Sequence, residues 1–136
     1  MGPAYLTGIG TSFPGPPIEQ SAIWDGYFAA RSGHDAVAKR IFSAAGVERR
    51  HAAVNPLVED VSGWSTGERM RRWAAESVPL GKDATSGALA GAGLPASDLG
   101  LLSVVTCTGY STPGLDIRVA ADLGLPAVAP SPGSAA

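Results

Sequence analysis

A single cysteine, Cys107, stands among 136 residues, so no disulfide can close within the chain, and a reducing compartment is the implied setting. Histidine is nearly as scarce. His34 and His51 are isolated from each other and from Cys107 in sequence, so no metal site is expected. Charge is sparse too: 16% of residues, with ten Lys and Arg against twelve Asp and Glu for a net charge of −2. That balance carries no electrostatic footprint for nucleic acid. No window approaches the run of about 18 apolar residues that a membrane span needs. The opening residues lack the basic stretch and apolar core of a secretory signal. A soluble, cytoplasmic protein without a membrane partner is therefore expected. Gly8 and Gly10 lack the third glycine and the following helix of a dinucleotide fingerprint, which removes that reading as well.

What the chain has in quantity is small and turn-forming residues: 18 glycines and 11 prolines within a composition that is 45% hydrophobic. This is a globular composition with many short connections and enough length for one modest core. Ala4–Thr11 reads as a first strand in which Gly8 and Gly10 mark a bulge or a close backbone approach. Phe13 to Pro17 is a rigid loop, and Pro17 suits the first position of a helix over Ile18–Ala30. Asp35 can cap a second helix with Val37, Ile41 and Ala45 on its apolar face and Gly46 just beyond it. Val47–Val54 fits an edge strand. Ser65 and Glu68 form a capping box ahead of a helix over Ser65–Ser77 with Met70, Trp73 and Ala74 inward. Arg69, Arg71 and Arg72 fit its solvated face. Pro79 should interrupt that helix, with a second stretch from Lys82 to Gly91. The small residues Ala84, Gly87, Ala88 and Ala90 there would allow close packing on a sheet. A last helix over Leu115–Leu123 should face inward with Ile117, Ala120, Ala121 and Leu123. Leu125–Val128 could begin a further strand. Residues 128–136, rich in Pro, Ala and Ser, read as a disordered tail.

The most informative stretch is Leu101–Asp116, LLSVVTCTGYSTPGLD. Leu101, Leu102, Val104 and Val105 read as a strand over Leu101–Thr106 buried on both faces. It ends in Thr106, Cys107 and Thr108, and a glycine turn then opens a helix at Leu115. Ligands in α/β folds bind beyond the carboxyl ends of strands, so this tip is the natural place for a site. The run Pro113-Gly114-Leu115-Asp116 after a Thr/Cys-rich tip resembles the type III polyketide synthases, the chalcone-synthase-like branch of the thiolase superfamily. The ERRH segment from Glu48 to His51 and the helix start STGERMRRW add to that resemblance in the right order. The fold implied is α/β: the incomplete N-terminal part of a thiolase-like fold, a mixed sheet with packed helices over residues 1–127.

The resemblance also implies a chemistry. The intact enzymes are acyltransferases. A cysteine thiolate takes an acyl group from an acyl-CoA starter, and decarboxylated malonyl-CoA supplies the attacking enolate. CoA thioesters enter as substrates, no further cofactor is needed, and the enzyme works as a homodimer. Thr106, Cys107 and Thr108 correspond to walls of the acyl pocket. Thr112 and Pro113 correspond to the dimer interface, where Thr112 reaches into the partner's cavity. Lys39 and Arg40 correspond to contacts with CoA phosphates, although a further basic position of the family is Ala44 here; nearby Arg49 and Arg50 are possible substitutes. The family's nucleophilic cysteine, histidine and asparagine lie in later segments with no counterpart in these residues, so no catalytic residue is assigned and the chain alone is expected to be inactive.

Each assignment has a plainer alternative. Cys107 is equally what a small buried hydrophobe at a strand end looks like. Thr112 is an ordinary turn residue. Lys39 and Arg40 fit a solvated helix end favoured by the macrodipole. At the level of the whole chain, a ketoacyl-ACP-synthase-III-like enzyme is the neighbouring possibility within the superfamily. A non-catalytic interaction module or a pseudogene product is the possibility outside it.

Overall fold

The computed structural model describes residues 2–32 and 35–125. The tail over 128–136, the strand expected to begin at Leu125 (from residue 126 onward) and His34 lie outside the described residues. The chain divides into two compact units, Phe13–Thr66 on the one hand and Met1–Ser12 with Gly67–Ala136 on the other.

The Phe13–Thr66 unit is built on a two-stranded antiparallel bridge, β1 (Ile18–Glu19) with β2 (Arg49–Arg50), in which Ile18 faces Arg50 and Glu19 faces Arg49. The edge strand expected near residue 50 is therefore present, but Ile18 and Glu19 leave the expected helix to pair with it. Pairing prevails because it joins a β-branched residue to a partner strand and sets Glu19 opposite Arg49 at 3.7 Å. The Gln20 amide extends the ladder by donating to the Glu48 carbonyl at 2.8 Å. The helix begins only then, as α1 (Gln20–Ile23), a π-helical turn (Trp24–Phe28) and α2 (Ala29–Arg31). Asp35 caps α3 (Ala36–Ser43) by accepting from the amides of Val37 and Ala38 at 2.8 and 3.3 Å. Gly46, at φ +68°, reverses the chain after α3.

The face of α3 is not the expected one. Val37 and Ile41 are exposed, and Phe42 turns inward to meet Trp24 and Phe28 at ring-centroid distances of 5.5 and 5.3 Å. An aromatic neighbour offers more buried area than the two aliphatic residues could find. Gln20 is the one polar residue buried as a whole among the described residues, and both ends of its amide are used: Nε2 donates to the Phe42 carbonyl at 2.6 Å and Oε1 accepts from Arg50 Nε.

The loop that closes this unit carries Asp60. Its carboxylate accepts from the Ser62 amide at 3.0 Å and meets Arg31 at 3.3 Å. Its pKa is held below the ordinary carboxylate value, first by the backbone and side-chain hydrogen bonds from Ser62 and then by the Arg31 charge, against a small opposing desolvation. A carboxyl whose folded pKa is depressed adds stability above its unfolded pKa and loses it as pH falls through the folded value. The pair is open to solvent, so the contribution is small and salt-sensitive. Asp60→Asn should leave the neutral-pH melting temperature almost unchanged and flatten the fall in stability below about pH 4. Melting curves of both chains against pH check this; acid limbs that superimpose would contradict it.

The second unit is organised on α4 (Thr66–Ala92). The helix starts directly after Ser65, as the capping box suggests, but it does not stop at Pro79. Pro79 removes one backbone hydrogen bond and crowds the carbonyl of Ala75, at a cost of about 3 kcal/mol in a free helix. Here the turns on both sides are anchored. Val78 is buried, Gly81 lies against Val119 of α5 (Leu115–Asp122), and Trp73 lies against Gly109. Arg72 is half-buried and ion-paired with Glu76 at 2.8 Å, so it belongs only partly to a solvated face.

The C-terminal half of α4 takes the Gly8–Gly10 segment. A Cβ on Gly8 would strike Ala88 and Ala92, and one on Gly10 would strike Ala84 and Ala88. The expected close approach is real, and it runs between backbone and helix. α5 matches its predicted span, but its register is rotated. Val119 is 2% exposed while Ile117 is exposed, because Val119 is the residue that meets Gly81 on α4. Neither Ala4–Thr11 nor Leu101–Thr106 joins a strand ladder among the described residues. Nor is Leu101–Thr106 buried: Leu101 and Val105 are 82% and 97% exposed. A β-rich run becomes a strand only when a second strand satisfies its amides and carbonyls, and among the described residues the two-residue bridge elsewhere is the one pairing found.

Candidate functional site

The expected pocket residues sit where the apolar run 101–106 gives way to a bend at Cys107 and Thr108. Thr106, Cys107 and Thr108 are all exposed. The Thr108 amide donates to Thr106 Oγ1 at 3.4 Å, which folds the tip back on itself. Cys107 is a free, exposed thiol, so it is not the buried small hydrophobe of the plainer reading. Among the described residues it has no hydrogen-bond or ionic partner. Gly109 follows with its backbone pressed on the Trp73 indole, where no Cβ fits. Ser111 Oγ then donates to the Pro113 carbonyl at 2.9 Å and closes the turn. Thr112 and Pro113, joined by a cis peptide, lie exposed on its outside. Gly114 is the N-cap of α5, with Asp116 in the first helical turn. A negative side chain there opposes the positive end of the helix. The expected order of hydroxyl and thiol tip, turn and helix is present, although the run before the tip is not a strand, and the tip and most of the turn are presented to solvent.

Lys39 and Arg40 are both exposed on α3, but they face different surroundings. Lys39 borders a hollow of about 420 Å³ in the Phe13–Thr66 unit, walled by Trp24 and Phe42 and edged by Glu19, Asp25 and Glu48. Three carboxylates and one ammonium edge that hollow, and one of the carboxylates, Glu19, is paired with Arg49. Arg40 does not line it. Arg49 and Arg50, the nearby basic residues considered for the position at Ala44, are both exposed and both already have partners. Arg49 is paired with Glu19. Arg50 is bound to Gln20 and lies 5.7 Å over the Phe42 ring. His51 is also engaged: its Nδ1 lies 3.0 Å from the Gly15 carbonyl, and its ring stacks on Phe13 at 4.7 Å. Among the described residues no group of three or more His, Cys, Asp or Glu could hold a metal ion, and no helix is long and apolar enough to cross a membrane.

The hollow and the buried Gln20 were not visible in the sequence. Gly26, within the aromatic run Trp24–Phe28, signals a different crowded place, where the side chain of Leu57 fills the space a Cβ would need. A glycine tolerated inside a helix for packing reasons marks a crowded place, and here it falls within the π-helical turn.

Comparison with known proteins supplies the family. Residues 1–130 match the N-terminal domain of the chalcone and stilbene synthases. The 1,3,6,8-tetrahydroxynaphthalene synthase of Streptomyces peucetius subsp. caesius is 36% identical over 90 residues, covering 66% of this chain and 24% of that protein. The alpha-pyrone synthesis polyketide synthase-like Pks18 of Mycobacterium tuberculosis is 29% identical over 129 residues, covering 90% and 33%. A solved type III pentaketide synthase from Neurospora crassa superposes with a TM-score of 0.70 at 27% identity, covering 90% of this chain and 34% of that one. The chain therefore spans between 24% and 34% of the length of these relatives. Its fold is the N-terminal part of the thiolase-like fold of type III polyketide synthases, and the chain belongs to the chalcone and stilbene synthase family.

Proposed function

We propose that this chain supplies the N-terminal walls of a type III polyketide synthase, an acyltransferase that condenses malonyl-CoA onto an acyl-CoA starter, and that it has no condensing activity alone. The observation that carries the reading is the family match over residues 1–130, with the Thr106–Thr108 tip and the Pro113–Asp116 turn in the expected order before α5. In this reading Thr106, Cys107 and Thr108 line the acyl cavity, and Thr112 and Pro113 meet the second subunit of a homodimer. Arg40 is the better placed of the basic pair for CoA phosphate, since Lys39 borders an acidic hollow.

Condensation needs an activated thiolate, a cation or base beside it and donors where the enolate oxygen develops. Cys107 is the only thiol, and it lacks a partner among the described residues. His51 has its Nδ1 committed to the Gly15 carbonyl. Purified chain incubated with radiolabelled malonyl-CoA and a panel of acyl-CoA starters should yield no product above a Cys107→Ala control. Product that depends on Cys107 would make it a nucleophile and overturn the assignment.

A further inference from the structure

The hollow bordered by Lys39 in the Phe13–Thr66 unit has no part in the synthase reading. Its volume of about 420 Å³ is that of a small-ligand site. A neighbouring hollow of about 370 Å³ shares Trp24, Asp25 and Lys39 with it and adds Ala29 and Ala36. Trp24 and Asp25 open the π-helical turn, a helix form that is frequent at functional sites. Three groups here are unspent. Trp24 is only 6% exposed, and its indole N–H donates to nothing among the described residues, yet that atom is not sealed from solvent. It therefore opens on the hollows that Trp24 lines. The indole ring is vacant too. Arg31 covers Tyr27 and Arg50 stands over Phe42, while no cation lies over Trp24 among the described residues. Indole is the aromatic ring that holds cations best. Phe42 walls the same hollow with its plane 47° from the indole, so the two rings make a corner. With Glu19 paired to Arg49, the third group is the carboxylates of Asp25 and Glu48. Both are exposed and without an ion pair among the described residues, against the one ammonium of Lys39.

We propose that this hollow binds a small free organic cation, an alkyl or quaternary ammonium that carries a hydroxyl. The ammonium lies against the Trp24 ring beside Asp25 and Glu48, and the hydroxyl oxygen accepts from the indole N–H. The ligand class follows from the three groups together. A metal ion needs several oxygen donors drawn close, and among the described residues no group of three or more such side chains is gathered. A neutral apolar ligand would cover the indole N–H and leave it without a partner. An anion would face Asp25 and Glu48. Nothing in this chemistry depends on the synthase assignment.

The test is titration of the full, isotope-labelled chain with choline, read at the Trp24 indole N–H resonance, which Trp24→Phe identifies by its loss. A saturable shift with a Kd of about 1 mM is expected. The uncharged isostere of choline, with carbon in place of nitrogen, should give no saturable shift over the same range, and neither should sodium chloride. Asp25→Asn combined with Glu48→Gln should weaken choline binding at least about fivefold, and Lys39→Met, which removes the competing ammonium, should tighten it about threefold. Phosphocholine, whose phosphate would meet the carboxylates, should bind at least about fivefold more weakly than choline. Should the carboxylate variant lose its helical circular dichroism, the comparison of choline with its isostere decides alone. No saturable shift below about 50 mM choline would overturn the proposal. So would an isostere that binds as choline does, or a folded carboxylate variant of unchanged affinity. Phosphocholine binding as tightly as choline would identify a lipid headgroup in place of a free cation and overturn it as well.

Discussion

Trp24→Ala should unfold the Phe13–Thr66 unit while leaving α4 and α5 protected. Trp24 is 6% exposed, and its ring lies 5.5 Å from Phe42 and 6.4 Å from Phe28. Phe28 in turn meets Tyr27 edge-on at 5.1 Å, and the Arg31 guanidinium lies 3.9 Å over the Tyr27 ring. The indole thus joins the π-helical turn to α3. Truncating a buried tryptophan to alanine costs about 3–5 kcal/mol. At 0.05–0.15 kcal/mol per residue, a unit of about 50 residues has only a few kcal/mol in total. Among the described residues its other buried apolar side chains are Ile18 and Ile23, too few to hold the unit alone. Amide exchange resolved by residue checks this: protection should disappear across α3 and the β1–β2 bridge and persist in α4. Trp24→Phe should recover most of it, because a smaller ring keeps contact with Phe42. Undiminished protection of α3 in Trp24→Ala would show that the aromatic cluster is not what holds the unit.

Local rules were legible wherever one residue decides a local geometry. Asp35 caps α3 because its side chain reaches two amides that no upstream carbonyl can serve. Leu115 begins α5 directly after the Pro-Gly turn, and α4 begins directly after Ser65. Gly8 and Gly10 announced a close approach because glycine in an apolar run has little other use. Features that depend on what lies opposite were not legible. Ile18 and Glu19 become a strand because Arg49 and Arg50 arrive beside them. Pro79 is carried inside α4 because Val78, Gly81 and Trp73 are each held by contacts distant in sequence. The inward face of α5 is chosen by Gly81, whose missing Cβ admits Val119, and no periodicity within Leu115–Leu123 contains that fact.

The same distinction explains the candidate site. Its order along the chain was readable, since Thr106 to Asp116 is a contiguous pattern. Its surroundings were not. Cys107 was open to reading as a buried strand-end residue because Leu101–Val105 looks like a central strand, yet burial is conferred by neighbours, and those residues stand open. Lys39 and Arg40 are adjacent in sequence and look interchangeable. A helix turns 100° per residue, so one borders an acidic hollow and the other does not.

Gly10→Ala should be the most damaging single-methyl change in the unit built on α4. A Cβ at Gly10 would overlap the Ala84 carbonyl and lie 2.5 Å from the Ala88 amide nitrogen. Both are backbone groups of a continuous helix, so no rotamer change relieves the overlap. Either the segment lifts off α4 or the helix deforms. Overpacking of this kind costs about 1–3 kcal/mol and sometimes more, which for a domain of this size lowers the melting temperature by about 5–15 °C. Gly8→Ala should behave alike, since it meets the Ala88 carbonyl and the Ala92 amide nitrogen as well as the Ala92 Cβ. Gly2→Ala is the matched control, because a Cβ there meets nothing within 4 Å. Alanine also removes backbone freedom from the unfolded chain, which stabilises by about 0.4–1 kcal/mol where the native conformation allows it. Gly2→Ala should therefore leave the melting temperature unchanged or slightly raised, while Gly10→Ala lowers it despite the same gain. Equal melting temperatures for the two variants would mean that the Gly8–Gly10 segment is not seated on α4.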